Sequence, residues 1–94
     1  MTITAESVIT MGRTLVTTKV GDETVIFDDE SGIYIGLNEV GTAILEELDG
    51  PKSVALLVDA LMSTYDVDQD TCQKNIISFL DDMLEAKLIS IKAA

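Results

Sequence analysis

The chain has 94 residues, a formal net charge of −11, no His and a single Cys. That length supports one domain with one core, and 47% hydrophobic residues are too many for a disordered acidic tail. The charge argues against a duplex-binding surface, which needs Lys and Arg against the phosphates, and the lone Cys excludes an intramolecular disulfide or multi-thiolate zinc site.

Residues 1–13, MTITAESVITMGR, carry neither a basic n-region nor an apolar h-region. They read as an N-terminal arm. No apolar run is long enough to span a bilayer. The expectation is a cytoplasmic protein with Cys72 reduced and no membrane partner. A negative charge also disfavours anionic lipid surfaces and is compatible with a basic or mixed peptide.

From residue 14 the chain reads as strands. Residues 14–20, TLVTTKV, are rich in β-branched side chains. Gly21-Asp22 makes a turn into a second strand over 23–28, ETVIFD. Asp29-Glu30-Ser31-Gly32 is a hairpin connection with Gly late in the loop. Residues 33–37, IYIGL, form a third strand. The two tight connections predict a three-stranded antiparallel meander. Its third strand lies at an edge, because the chain then leaves as helix.

Near Asn38 the period becomes helical. Asn38 caps a first helix, in which Val40, Ile44, Leu45 and Leu48 share a face, and Asp49-Gly50-Pro51 stops it. Ser53 caps a second helix carrying Val54, Leu57, Val58, Leu61, Met62 and Tyr65 at i, i+3, i+4, i+7 spacing. Asp66-Val67-Asp68 connects to a third helix from about Gln69 to about Lys87, with Asp68 as cap. A short extended tail over 88–91, LISI, follows and can pack on the sheet.

The third helix has two apolar stripes. Cys72, Ile76, Phe79 and Met83 share one direction. Ile77, Leu80 and Leu84, with Gln73 among them, share another. Asp70, Lys74 and Asp81 lie at the margin of the second stripe. Either both stripes are core, or the second faces the sheet edge or a groove.

No catalytic constellation is present. A hydroxyl nucleophile needs an activating base, and the missing His removes the commonest one. Asp66 to Asp70 has the spacing that opens a calcium loop, but Thr71 and Ile77 stand where that loop needs Gly and a bidentate Glu. The cluster reads instead as a helix N-terminus. Asp28, Asp29 and Glu30 read as a solvated turn. Cys72 lies on the core stripe and reads as an inert buried thiol. No catalytic residue, metal or cofactor is expected. An acyl carrier protein is disfavoured, since no Asp-Ser-Leu occurs and residues 14–37 read as sheet.

Several segments together form a family pattern. Asp29-Glu30-Ser31-Gly32-Ile33-Tyr34-Ile35-Gly36-Leu37-Asn38-Glu39-Val40-Gly41 resembles the hairpin, strand and helix start of the PqqD-like family. Ile44 to Pro51 resembles its first helix and "D-G-P" stop. Tyr65-Asp66-Val67-Asp68 resembles its "Y-x-V-D" connection. Phe79 to Leu84 with Leu88-Ile89 resembles its closing segment. The resemblance covers about residues 14–91, which would form one domain. Leu45 stands where members often carry Trp. Lys87 stands where they often carry Gly, so a helix end without the usual left-handed Gly cap is expected.

The resemblance implies an α+β, winged-helix-like fold, a three-stranded antiparallel meander packed on three helices. It implies a non-catalytic adaptor for the leader of a ribosomally made precursor peptide. Such a domain presents the peptide to a leader peptidase, a cyclase or a radical-SAM enzyme, and the Gly36 to Gly41 run is closer to lasso-peptide members. The leader would add as a strand along Ile33, Tyr34, Ile35, Gly36 and Leu37. Gln73, Ile77, Leu80 and Leu84 would form an apolar wall, with Asp70 and Asp81 meeting basic leader residues. Gly36 leaves room for a bulky leader side chain, or else marks a twist or bulge. A monomer is expected. The rival readings are a winged-helix regulatory module, which the charge opposes, and a homodimerisation domain.

Overall fold

The structure, a computed structural model, describes residues 3–12 and 15–92. The meander is present as β2 (Val16–Val20), β3 (Glu23–Asp28) and β4 (Ile33–Leu37), in the order β2-β3-β4. Its turns need left-handed backbone, which glycine adopts without a Cβ clash. Gly21 and Gly32 supply it with φ of 66° and 74°. The Gly32 N–H donates to the Asp28 carbonyl at 2.7 Å. The Asp28 side chain accepts from the Glu30 N–H at 3.1 Å. Asp28 is itself buried, so the turn it anchors is not simply a solvated acidic loop.

Three helices follow, each opened by a side-chain oxygen that accepts one of the unpaired first-turn amides. Asn38 accepts from Gly41 and opens α1 (Glu39–Glu47). Ser53 accepts from Leu56 and opens α2 (Val54–Met62). Asp68 accepts from Thr71 and opens α3 (Gln69–Glu85).

The end of α3 has no glycine cap, yet it keeps the geometry of one. Lys87 takes the left-handed conformation at φ 64°. The Leu88 N–H reaches back to the Met83 carbonyl and the Lys87 N–H to that of Leu84. This paired closure is a Schellman cap. The geometry that glycine usually supplies is kept here on a lysine.

A second antiparallel sheet was not legible from the sequence. β1 (Val8–Met11) lies between β5 (Lys52–Ser53) and β6 (Ile89–Lys92), in the order β5-β1-β6. The extended tail therefore pairs with β1, Ile9 opposite Ile91 and Met11 opposite Ile89, and not with the meander. Residues set apart as an arm contribute Ile3 and Ile9 to the common core.

That core joins both sheets to the helices. Ile26 and Leu37 enter it from the meander, Ile44 from α1, Leu48 from the C-cap of α1, and Val54, Leu57, Val58 and Leu61 from α2. Cys72, Ile76, Leu80 and Met83 enter from α3, and Leu88 and Ile89 from the closing segment. α1 packs on β3 and β4, while α2 packs on α3. No helix of the described residues is long and apolar enough to cross a membrane.

Candidate functional site

Alternation along β4 decides which side chains are available. Successive residues point to opposite faces. Ile33, Ile35 and Leu37 share the inner face, and burial deepens along it, from 56% exposed at Ile33 to 6% at Leu37. Tyr34 and Gly36 share the outer face. Tyr34 is 73% exposed, and its ring meets Phe27 of β3 with centroids 5.0 Å apart. On its other side β4 has no partner strand among the described residues. An edge strand of this kind presents unpaired N–H and C=O groups to an incoming chain.

The end of β4 runs directly into the cap of α1, and α3 comes close there. A recess of about 240 Å³ is lined by Asn38, Val40, Gly41 and Ile44 from the α1 side and by Asn75 and Phe79 from α3. A Cβ on Gly41 would lie 3.0 Å from Phe79 Cε1 and 3.3 Å from Leu37 Cβ. Phe79 thus marks the flank of α3 that faces the β4–α1 junction.

This placement differs from the wall drawn from the sequence. Leu80 is 0% exposed and belongs to the core with Ile76 and Met83. A side chain so enclosed offers no surface to a ligand, so Leu80 is corrected from wall to core. Ile77 and Leu84 pack partly buried against that core, Gln73 is half-buried, and Asp70 and Asp81 are exposed. None of these six lines the recess. At 3.6 residues per turn, Ile77 and Phe79 project roughly 160° apart. Asn75 and Phe79 therefore hold the flank that sequence reasoning missed. The available signal was Gly41: a glycine inside a helix costs stability unless something packs closely on it.

Electrostatics add no reactive group among the described residues. Burial pushes the Cys72 thiol above its usual range, with Asp68 adding to the effect, and its Sγ lies 3.9 Å from the Val58 carbonyl. Such a thiol is a poor nucleophile. Asp68 is held below its ordinary value by the Thr71 hydrogen bonds, which is the signature of a cap. Burial, then the hydrogen bond to Glu39, raises Tyr65. Its hydroxyl donates to Glu39 Oε1 at 3.2 Å, tying the α2–α3 connection to the first turn of α1. Among the described residues no group of three or more His, Cys, Asp or Glu is placed to hold a metal ion.

The arrangement can therefore bind an extended chain along β4, beside a recess walled by α1 and α3. Comparison with known proteins gives this geometry a context. Residues 23–89 match the family described as Coenzyme PQQ synthesis protein D (PqqD). Among solved structures, TbiB1 in complex with the TbiA(beta) leader peptide is similar at 28% identity, with a TM-score of 0.79 over 90% of this chain and 99% of that one. The solution structure of the PqqD truncation of PqqCD from Methylobacterium extorquens, a stand-alone recognition element for ribosomally synthesised and post-translationally modified peptides, shares the fold. It aligns at 19% identity with a TM-score of 0.78 over 94% of each chain. No curated protein matches in sequence.

Proposed function

Because this chain belongs to the PqqD family, we propose that it is a non-catalytic adaptor for the leader of a ribosomally made precursor peptide. The leader adds as a strand to β4, and the remainder of the precursor is presented to a separate modifying enzyme. The observation that carries this reading is the β4 edge, which has no partner strand among the described residues, with Ile33 and Tyr34 exposed along it. The leader peptide bound to the similar TbiB1 supports it.

Main-chain pairing supplies attraction without sequence preference, and side-chain recesses supply the choice. Ile33 and Ile35 meet alternate leader residues on the inner face, and the recess beside Asn75 and Phe79 receives the leader where β4 meets α1. The enzyme served is a leader peptidase, a cyclase or a radical-SAM enzyme. The adaptor acts as a monomer in the cytoplasm, where the precursor is made.

The test is a fluorescence anisotropy titration with a fluorescein-labelled leader. The peptide is the leader half of the precursor encoded beside the gene for this chain. Saturable binding is expected, and Ile33→Asp is expected to weaken it at least tenfold by placing a charge on the inner face of the edge. An absence of saturable binding to the native chain would contradict the reading.

A further inference from the structure

The outer face of β4 contains an anomaly. Gly21 and Gly32 are required by their positive φ, and Gly41 by the ring of Phe79. Gly36 is required by neither. It has no positive φ, and a Cβ built on it would meet nothing within 4 Å. It also lies in an unbroken register. Pairing runs one to one from Asp28 with Ile33 to Thr24 with Leu37, and Gly36 faces Val25. A β-bulge would put two residues opposite one, so the bulge explanation is removed. Glycine inside a strand weakens it and often marks close approach of another chain. Neither a turn, a bulge nor a close internal contact accounts for that cost.

Around Gly36 the surface is hollow. A recess of about 450 Å³ is lined by Val20, Glu23, Thr24, Val25, Gly36, Leu37 and Asn38. Val20 is 63% exposed, and Val25 is the cross-strand neighbour of Gly36. Two residues earlier on this face, Tyr34 covers Phe27. Along the outer face a filled aromatic pair is thus followed by a pair with one side chain missing.

We propose that Gly36 is a specificity notch, filled by a large apolar side chain, Leu-sized or aromatic, from the peptide strand added to β4. This deepens the leader-binding reading and rests on it. A residue paired with Gly36 on an added strand projects its side chain to the same face. With no Cβ in the way, that side chain crosses Gly36 and reaches Val25, with Tyr34 beside it. The missing half of the pair is supplied by the ligand. A strand carrying only small or charged residues at this position leaves Val25, the cross-strand neighbour of Gly36, uncovered.

The experiment uses the full chain, Gly36→Ala and Gly36→Val, with the labelled leader described above and a set of single alanine replacements along it. Both variants are expected to melt no lower than the native chain, because strand propensity rises and nothing is displaced. Gly36→Val is expected to weaken the native leader at least tenfold, and Gly36→Ala less. One large apolar leader position is expected to lose at least tenfold on replacement by Ala against the native chain, and less than twofold against Gly36→Val. Binding by Gly36→Val within twofold of native would overturn the notch while leaving edge binding intact. A lowered melting temperature in Gly36→Ala would also overturn it, since the glycine would then serve the fold. No binding by the native chain would remove the leader reading and the notch with it.

Discussion

The ring of Phe79 on α3 lies over Gly41 in the first turn of α1, where a Cβ would stand 3.0 Å from Phe79 Cε1. The same point is 3.3 Å from Leu37 Cβ at the end of β4. Three elements therefore meet at a position that holds no side chain. This contact sets how closely α3 approaches the β4 edge. Replacing Gly41 by Val is expected to force the ring aside and destabilise the fold by about 1–3 kcal/mol, although Val has the higher helix propensity. Chemical denaturation checks this. Unchanged stability would mean that the ring is free to move and that the recess beside it is adjustable.

Leu80 separates core from site. It is completely buried on α3, so Leu80→Ala is expected to cost about 2–5 kcal/mol through lost burial and the cavity left behind. Under conditions where the variant remains folded, its affinity for the leader is expected to match the native chain. Melting curves and an anisotropy titration read the two effects separately.

Lys87 offers the opposite sign. Its left-handed backbone at φ 64° carries a steric cost for any residue with a Cβ. Lys87→Gly keeps the cap and removes that cost. The expected gain is about 1 kcal/mol, seen as a higher denaturation midpoint with an unchanged slope.

Acid weakens the start of α3 through Asp68. Its carboxyl is held below 3.8 by the Thr71 hydrogen bonds in the folded chain. A group with a lowered folded value contributes stability above its unfolded value and loses it as pH falls through the folded one. Asp68→Asn retains a capping oxygen without titrating there. Between about pH 6 and about pH 3 the native urea midpoint is expected to fall further than that of Asp68→Asn. Parallel profiles for the two proteins would contradict the assignment.

Local chemistry made most of the fold legible. The three caps, the two glycine turns and the strand alternation of the meander are each written in short segments, and the structure places them accordingly. The second sheet was not legible because its pairing is non-local. Its middle strand is four residues long and its partners lie at residues 52–53 and 89–92. Nothing in VITM announces which distant segments it will join. The edge role of β4 followed from chain direction alone. The α3 flank did not, because a helical wheel with a wide apolar arc has no marked zero. The Phe79–Gly41 contact and the recess beside it show which margin faces β4, and Leu80 lies inward of it.

Strand addition to β4 is tested most directly by backbone amide exchange, followed by NMR on ¹⁵N-labelled protein with and without the leader. The account predicts that fast-exchanging amides of residues 33–37 slow sharply on saturation, with shift changes extending to Asn75 and Phe79. Protection confined to β2, the other edge of the meander, or to the exposed face of α2, with residues 33–37 unchanged, would contradict it.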